Sequence, residues 1–430
     1  MRSSASILPG GAPLEGARAA ATRFDRFAEL LICIPILSVT FIAKFAVPVG
    51  SHKIALALPI FAVLIIAGMA LGRMKINTGN FIFYVVLVAA LMMLQVLSGN
   101  ALSDSFSSKS LALFMCFHAP YCFELERGLT RPDFQFRFFQ YVAAILAICG
   151  LVQMAVQIGA GQDYAFPIET YVPKDFQDTG FANLVPLTTG SHLFKSNGIF
   201  LLEPSFFSQM MCIAIIIELL YYGRLVYLGL FAAGVLVAYS GTGPAILAAL
   251  FPFWVIQKRR FGLVIGGAIG LVIAYFVAAD ALHLDIYMER LSELSTQSSE
   301  TSGYERFIAP FVMLDQWIWP SIHNTLLGLG AGSFEPYVSR SWVKAWDSTW
   351  AKMIFEYGII GFVIYAAFMI RCLMKGGYSL YLKSALLVHL FVVSGNLVAQ
   401  PHGLNLSLIC WPTQEPKSPV AANEDEPTKS

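Results

Sequence analysis

The apolar residues of this chain are gathered into successive blocks of similar length, and this pattern restricts the fold more than any other feature. A helix needs about 20 consecutive apolar residues to cross the hydrocarbon core of a bilayer. Blocks that approach this length occupy residues 27–47, 53–71, 80–98, 109–124, 138–158, 199–221, 225–240, 243–257, 261–279, 349–371 and 379–398. Only 13% of the residues are charged, whereas soluble domains carry about a quarter. The sequence therefore predicts an all-α fold, a polytopic membrane bundle of about 11–12 spans.

The two ends of the chain differ from the bundle, which we expect to cover residues 27–411. Residues 1–26 carry four arginines and no apolar segment, and we predict that they form a cytoplasmic tail. The first apolar block follows without a small-residue cleavage pattern, so we predict that it is a retained span and not a signal peptide. Residues 412–430 are polar and acidic and contain proline, which predicts a disordered tail. The short apolar segment from Leu404 to Trp411 either completes a twelfth span or lies at the membrane interface.

Lysine and arginine are concentrated in short connections between the blocks. Cytoplasmic loops carry an excess of these two residues. If the N-terminus is cytoplasmic, the short basic connections all fall on the cytoplasmic side: 73–75, 124–137, 224, 257–260 and 371–375. Loops 159–198 and 280–348, of about 40 and about 70 residues, then lie on the outer, periplasmic side. Loops of this length are commonly folded or functional, so we expect the site there.

The seven cysteines lie in or beside apolar blocks and form no C-x-x-C motif. We therefore expect buried thiols, with no disulfide and no zinc site. We predict no metal ion and no cofactor. The formal net charge of +1 identifies no partner, and we expect no nucleic acid among the partners.

The sixth block opens with the segment LLEPSFFSQMMC at residues 201–212. Pro204 suits the first position of a helix, where its missing N–H costs nothing. Four polar positions then fall at i, i+3, i+4 and i+7 on one face: Ser205, Ser208, Gln209 and Cys212. Such a stripe should face the bundle interior or a water-filled cavity. We expect Glu203 close to the membrane surface, either as a functional carboxylate or as a solvated side chain.

The tenth block opens with DSTWAKMIFE at residues 347–356. Asp347 or Ser348 suits the N-cap of this helix. Lys352 and Glu356 are four residues apart and are expected to pair on one face. Ionisable residues within a span are costly and therefore indicate a function. The alternative is a mutually satisfied pair that lines no cavity.

The longer outer loop carries cations and a glycine-rich segment. Its arginine, lysine and histidine residues are His283, Arg290, Arg306, His323, Arg340 and Lys344. Arg306 adjoins an apolar helix, where its planar guanidinium suits phosphate oxygens or serves as a membrane anchor. The segment GLGAGS at 328–333 could bring backbone N–H groups to an anion. It lacks the lysine and the strand of a phosphate-binding loop, so we interpret it as a turn.

Together these features indicate an outward-facing site that combines carboxylates, cations and aromatic rings. Such a site suits an amphiphilic anionic substrate with polar rings, for example a lipid-linked diphospho-sugar. A transporter and an inert scaffold are the alternatives. A secondary transporter would have broken helices and ion sites near the bilayer midplane. Against it, the polar residues His118, His389, Gln95 and Gln153 are too scattered along the sequence to indicate a relay.

Three segments resemble the signature of the Wzy-type polysaccharide polymerase and O-antigen ligase superfamily: FLLEPSFFS, Arg306 followed by GLGAGSF, and DSTWAKMIFEYGIIG. The first is similar to the G-x-F-x-E-P-S motif of exopolysaccharide polymerases, and the resemblance covers roughly residues 190–370. Asp347 stands where the ligases typically carry histidine. SGTGP at 240–244 stands where the ligases show S-R-G/T. Both departures favour a polymerase over a ligase.

The resemblance implies a GT-C-type glycosyltransferase, inverting and metal-independent, in the bacterial inner membrane. It would polymerise undecaprenyl-diphosphate-linked oligosaccharide repeat units into an exopolysaccharide or O-antigen chain at the periplasmic face. Membrane lipid, a chain-length regulator or co-polymerase and export machinery are the implied partners. An O-antigen ligase, and a transporter or flippase for lipid-linked sugars, remain alternatives.

The resemblance also assigns roles to residues. Arg306 matches the loop arginine that is thought to hold the diphosphate, and we expect Arg340 or Lys195 to assist it. Asp347 and then Glu203 are the candidate bases for the acceptor hydroxyl. The other predicted substrate-binding residues are Ser205, His323, Lys352 and Glu356.

Overall fold

The computed structural model describes residues 24–49, 52–99, 106–178, 180–188, 190–258, 302–393, 395, 397 and 402–413. These residues are mostly helical, and four of their helices are long and apolar enough to cross a membrane. These four are Thr78–Leu97, Phe134–Ala160, Pro204–Tyr222 and Thr349–Leu373. Shorter apolar helices cover Ala57–Ala70, Leu225–Ala238 and Leu380–Val393. The prediction of a mainly helical membrane protein is confirmed at this level.

The described elements follow one another in a simple order. The helices before the first long loop are α1 (Arg26–Thr40), α2 (Ala57–Ala70), α3 (Thr78–Leu97), α4 (Ser108–His118) and α5 (Phe134–Ala160). Those of the middle of the chain are α6 (Gln162–Ala165), α7 (Pro167–Tyr171), α8 (Pro204–Ile217), α9 (Leu225–Ala238) and α10 (Thr242–Lys258). The rest are α11 (Ser302–Phe307), α12 (Ala309–Trp317), α13 (Ile322–Leu327), α14 (Phe334–Val338), α15 (Thr349–Leu373), α16 (Leu380–Val388) and α17 (His402–Asn405).

Two short antiparallel ribbons depart from the all-α prediction. Strand β1 (Ala46–Val49) pairs with β2 (His52–Ala55), and β3 (Met74–Ile76) pairs with β4 (Phe123–Leu125). The predicted spans 27–47, 53–71 and 109–124 are therefore too long, because their ends form strands instead of helix. The ribbons occupy sequence that is apolar enough for a span but is used to connect helices.

Helix α15 is broken inside the predicted span 349–371. Gly358 has φ +67° and ψ −178°, which is not helical. The break frees backbone carbonyl groups that would otherwise accept helical hydrogen bonds. The loop after α13 satisfies two of them, because Leu329 N–H donates to the Phe355 carbonyl at 2.8 Å and Gly330 N–H to the Glu356 carbonyl at 3.0 Å. Non-helical backbone at membrane depth is tolerated where protein buries it in this way.

The last described segment of the chain, residues 402–413, packs inside the bundle. Residues 402–411 are buried, and their helical turns contact α1, α5 and α15. Trp411 is fully buried, and its Nε1–H donates to the Pro120 carbonyl at 3.0 Å. The segment is therefore not an interfacial strip, and its ten residues are too few to cross a bilayer alone.

Ion pairs link three of the short basic connections, 73–75, 124–137 and 371–375, at one end of the described bundle. Lys75 lies 3.3 Å from Glu126, Lys375 pairs with Glu124, and Arg73 pairs with Asp25. The opposite ends of the helices carry the connections that were predicted to face outward. There Lys44 lies 2.5 Å from Glu169, and Lys53 Nζ donates to the Lys174 carbonyl at 2.7 Å. Connections 73–75, 124–137 and 371–375 thus lie at the end opposite to Lys44 and Lys53, as the distribution of charge predicted for these segments.

Some predictions fall outside the described residues. These are the span 261–279, the part of the outer loop at 280–301, most of the N-terminal tail and all but the first two residues of the C-terminal tail. Among the cysteines, five are buried as predicted, whereas Cys116 is exposed and Cys149 is half-buried.

Candidate functional site

Glu203 and Arg306 form a buried ion pair across two distant segments. Glu203 is the residue before α8, and Arg306 lies in the last turn of α11. The Arg306 Nη2 atom is 3.3 Å from Glu203 Oε2, and the two side chains are 12% and 4% exposed. Ser205 Oγ also donates to Glu203 Oε2 at 2.8 Å, and Ala182 N–H donates to Oε1 at 3.2 Å. Glu203 is thus not the solvated side chain that was one of its two interpretations.

Trp346 connects this ion pair to Asp347. The guanidinium carbon of Arg306 lies 4.7 Å from the centre of the Trp346 ring. The backbone N–H of Trp346 donates to the Glu305 carbonyl at 2.7 Å, which fixes the segment before α15 against α11. Asp347 follows Trp346 directly in the chain, and its charge also acts on the Arg306 guanidinium.

Lys352 is held by carboxylates that precede it in the sequence. Its Nζ atom lies 2.8 Å from Asp347 Oδ2 and 3.8 Å from Glu335 Oε1. The predicted pairing with Glu356 is wrong as a direct contact, since the Lys352 ion pairs are with Asp347 and Glu335. Ser348 is the N-cap of α15, but its side chain makes no capping hydrogen bond, so that part of the cap prediction is also wrong.

Asp347 and Lys352 line a cavity of about 480 Å³. The strand β2, helix α4, the outer loop around residue 180, helix α14 and the start of α15 all contribute to its wall. The polar and aromatic residues of this wall are Lys53, Phe117, Asp178, Phe181, Phe334, Glu335, Ser339, Trp346, Asp347 and Lys352. Gly395 also lines it, where a Cβ atom would lie 2.8 Å from Asp347 Oδ1. Arg306 is not in this wall and reaches it through Trp346.

Burial and charge act in opposite directions on the ionisable groups of the site. Burial raises the pKa of the Asp347 carboxyl above its ordinary value, and the nearby Lys352 ammonium opposes that change. Burial lowers the pKa of the Arg306 guanidinium, and the Glu203 carboxylate opposes that change. Burial also raises the pKa of Asp178, although Lys53 acts against it. A raised carboxyl pKa makes Asp347 a better proton acceptor near neutral pH.

Glu356 lies one turn further into the membrane helix and is covered by the glycine-rich loop. It is 2% exposed, and it accepts backbone hydrogen bonds from Gly332 and Phe334. Ala331 N–H donates to Gln95 Oε1 at 2.9 Å. The backbone donors of GLGAGS are thus used by the protein itself, which supports its interpretation as a turn and leaves no anion cradle there.

Of the six predicted substrate-binding residues, all of which the structure describes, Lys352 lines the cavity and the other five do not. Ser205 and Glu356 make the contacts given above, and the remaining three are Arg340, His323 and Lys195. Arg340 is exposed and packs on Tyr337, at 5.6 Å from the ring centre. His323 is exposed, with Nε2 at 3.2 Å from the Ser98 carbonyl. Lys195 is buried within the outer loop, where its N–H donates to the Val185 carbonyl at 2.8 Å. Sequence reasoning in turn missed Lys53, Asp178 and Phe181, because no motif marks them.

One of the four polar residues interpreted as too scattered for a relay, His118, lies beside His402, a histidine that sequence reasoning did not consider. The rings of His118 and His402 lie 4.6 Å apart, and His402 Nδ1 is 2.9 Å from the Tyr121 hydroxyl. His118 Nε2 lies 3.2 Å from the Tyr365 hydroxyl. His118 and His402 are fully buried, so they form a polar network inside the bundle that the sequence separation conceals.

No protein-family model matches the chain, and no curated protein matches it.

Proposed function

We propose that this chain is a membrane glycosyltransferase of the GT-C type that polymerises undecaprenyl-diphosphate-linked oligosaccharide repeat units. We place its activity at the periplasmic face of the bacterial inner membrane. One observation carries the proposal: Arg306 pairs with Glu203 across 103 residues of the chain and packs on Trp346, which lines the cavity next to Asp347. Perturbed ionisable groups at a cavity are a common mark of an active site.

Asp347 supplies the proposed general base. It lines the cavity, and a quarter of its side chain is exposed, so an acceptor hydroxyl can reach it. The Lys352 ammonium at 2.8 Å holds the carboxylate in position and favours its ionised form. A sugar hydroxyl within about 3 Å of the carboxylate would lose its proton as it attacks the anomeric carbon of the donor.

Arg306 supplies the proposed stabilisation of the leaving diphosphate. Its contact with Glu203, at 3.3 Å, is long for a hydrogen bond between charged groups. The guanidinium has five N–H donors in a planar fork, so it can bind phosphate oxygens while it stays stacked on Trp346. Stabilisation of charge that develops on a leaving group is commonly the largest single contribution to catalysis.

The composition of the cavity wall favours a sugar ligand. Its carboxylates Asp178, Glu335 and Asp347 outnumber its lysines Lys53 and Lys352. A small free anion would therefore be a poor ligand, whereas sugar hydroxyls donate hydrogen bonds to carboxylates. The rings of Phe117, Phe181 and Trp346 offer apolar faces for the C–H faces of sugar rings.

The break in α15 is one observation that favours the transporter alternative, but the contacts made at the break argue against a transporter. Broken spans are typical of secondary transporters, and α15 is broken at Gly358. In those proteins the freed backbone groups coordinate ions. Here the Phe355 and Glu356 carbonyls accept hydrogen bonds from the glycine-rich loop. The break therefore supports a protein contact and leaves the polymerase as the better proposal.

The substitution Arg306→Ala tests the function. We expect loss of polymer and accumulation of the single undecaprenyl-linked repeat unit, because the leaving diphosphate loses its counter-charge. Lipid-linked intermediates and secreted polysaccharide are measured in a strain that carries only the variant. Arg131→Ala is the matched control, since Arg131 also forms an ion pair, with Glu29 at 3.6 Å, far from the cavity.

A buried carboxylate that loses its partner destabilises a protein by about 3–5 kcal/mol, so Arg306→Ala is compared with Arg306→Ala/Glu203→Gln at equal membrane abundance. Polymer of normal amount and length in both variants would contradict the proposal. Glycan attached to a new carrier instead of longer undecaprenyl-linked chains would indicate a ligase. In a strain that lacks the protein, lipid-linked intermediates that accumulate on the cytoplasmic side of the membrane would indicate a flippase.

A further inference from the structure

An apolar groove runs along α2 beside the site cavity. It has a volume of about 720 Å³, and its wall comes mainly from α2 and the end of α4. Ile54 and Leu58 line both the groove and the cavity. The two spaces therefore share a wall and lie side by side, one with charged residues and one without.

The order of residues along this wall matches the order of groups in an amphiphile. The groove is lined by aliphatic, aromatic and proline side chains and by the Cys116 thiol, which behaves as a small apolar group. Lys53 precedes Ile54 and lines the cavity. A positive charge thus stands where the apolar wall ends, which is where a phosphate joins a hydrocarbon chain in a lipid.

The groove opens on the outer surface of the described bundle. Val63 and Ile66 on α2 are 63% and 68% exposed, although α2 is apolar throughout. Such a surface faces lipid in a membrane protein, so a hydrocarbon chain can enter the groove sideways. Eight residues separate Leu58 from Ile66, which is about 12 Å of helix. This is less than half of the roughly 30 Å hydrocarbon core, so only the part of a long chain next to its head group fits.

We infer that this groove holds the first isoprenoid units of the polyprenyl chain of the lipid-linked substrate, while the diphosphate lies where the groove meets the cavity, next to Lys53, and the sugars occupy the cavity. The inference rests on the proposed function for the identity of the lipid. Because the chain and the head group bind in adjoining spaces, the affinity for polyprenyl diphosphates depends on chain length.

A binding experiment with the purified full-length protein in detergent tests this inference. Displacement of a fluorescent undecaprenyl diphosphate by unlabelled undecaprenyl diphosphate and by dimethylallyl diphosphate gives the preference for the long chain. Ala62→Trp fills the groove and should reduce that preference at least tenfold. Val63→Trp is the matched control, because Val63 is the next residue, is also exposed and does not line the groove.

Ile66→Trp repeats the test at a second groove position, and thermal unfolding shows whether each variant is folded. Wild-type chain-length preference in both groove variants would overturn the inference, and so would an equal loss in Val63→Trp. Displacement by phosphatidylglycerol as effective as that by undecaprenyl diphosphate would also overturn it, since the groove would then accept any lipid. If the groove variants lose the preference while the wild type makes no polymer, the groove assignment stands and the proposed polymerase fails.

Discussion

At the scale of single residues, the ion pair between Asp347 and Lys352 controls the protonation of the proposed base. Burial raises the pKa of Asp347, and Lys352 lowers it again. A base must be deprotonated to act, so polymerisation should decline as the pH falls through the raised pKa of Asp347. Lys352→Met removes the opposing charge and should move this acidic limb to higher pH, whereas Lys352→Arg should keep it near the wild-type position.

The pH dependence of the initial rate, measured with purified enzyme and lipid-linked repeat units, checks this prediction. Asp347→Asn should lower the rate by about 10²- to 10⁴-fold and abolish the acidic limb. An acidic limb that is unchanged in Asp347→Asn would assign the base to another group, with Glu203 the next candidate.

Local spacing did not predict the contacts that the site residues make. The i, i+4 spacing suggested a pair between Lys352 and Glu356, but the helix begins at Thr349. Asp347 therefore lies outside the helix and folds back onto Lys352. The contact between Glu203 and Arg306 spans 103 residues, and no local rule predicts it.

At the scale of elements, the meeting of the glycine-rich loop with α15 sets the position of the cavity wall. The loop satisfies the carbonyls at the break and covers Glu356, and α14 follows it directly with Glu335. The sequence predicted a turn at GLGAGS and a span at 349–371. The sequence did not predict that the glycine-rich loop packs against a break in this span, because an apolar run with one internal glycine is also compatible with an unbroken helix.

Gly358→Ala tests the role of this break. Glycine alone adopts φ +67° and ψ −178° readily, so a residue with a Cβ atom pays about 1–3 kcal/mol there. Here the Cβ would also collide with the Leu326 carbonyl. We expect a lower apparent unfolding temperature in detergent and loss of polymer. Gly229→Ala in α9 is the control, because a Cβ there meets nothing within 4 Å and alanine favours the helix by about 0.5–1 kcal/mol. Equal unfolding temperatures of the two variants would show that the break is not a requirement of the fold.

At the scale of the whole molecule, hydropathy and the distribution of charge predicted more than any motif did. The blocks gave a mainly helical membrane protein, and the short basic connections lie together at one end of the described bundle. The lengths of the spans were overestimated wherever an apolar strand adjoins an apolar helix, as at β2 and α2. Hydropathy reports burial from water, and it does not distinguish these two conformations.

The orientation of the bundle decides whether the proposed chemistry can use a lipid-linked donor at the periplasmic face. In a background with Cys116→Ser, Trp342→Cys places a thiol at a 70% exposed position in the predicted outer loop. Arg127→Cys places one at an exposed position in a predicted cytoplasmic connection. A membrane-impermeant maleimide should label Trp342→Cys in intact spheroplasts and Arg127→Cys only after permeabilisation, with a cytoplasmic marker protein unlabelled in the intact cells. The contacts within the described bundle are the same for both orientations, so they do not decide between them. The reverse labelling pattern would place the cavity on the cytoplasmic side, where a periplasmic polymerase could not work.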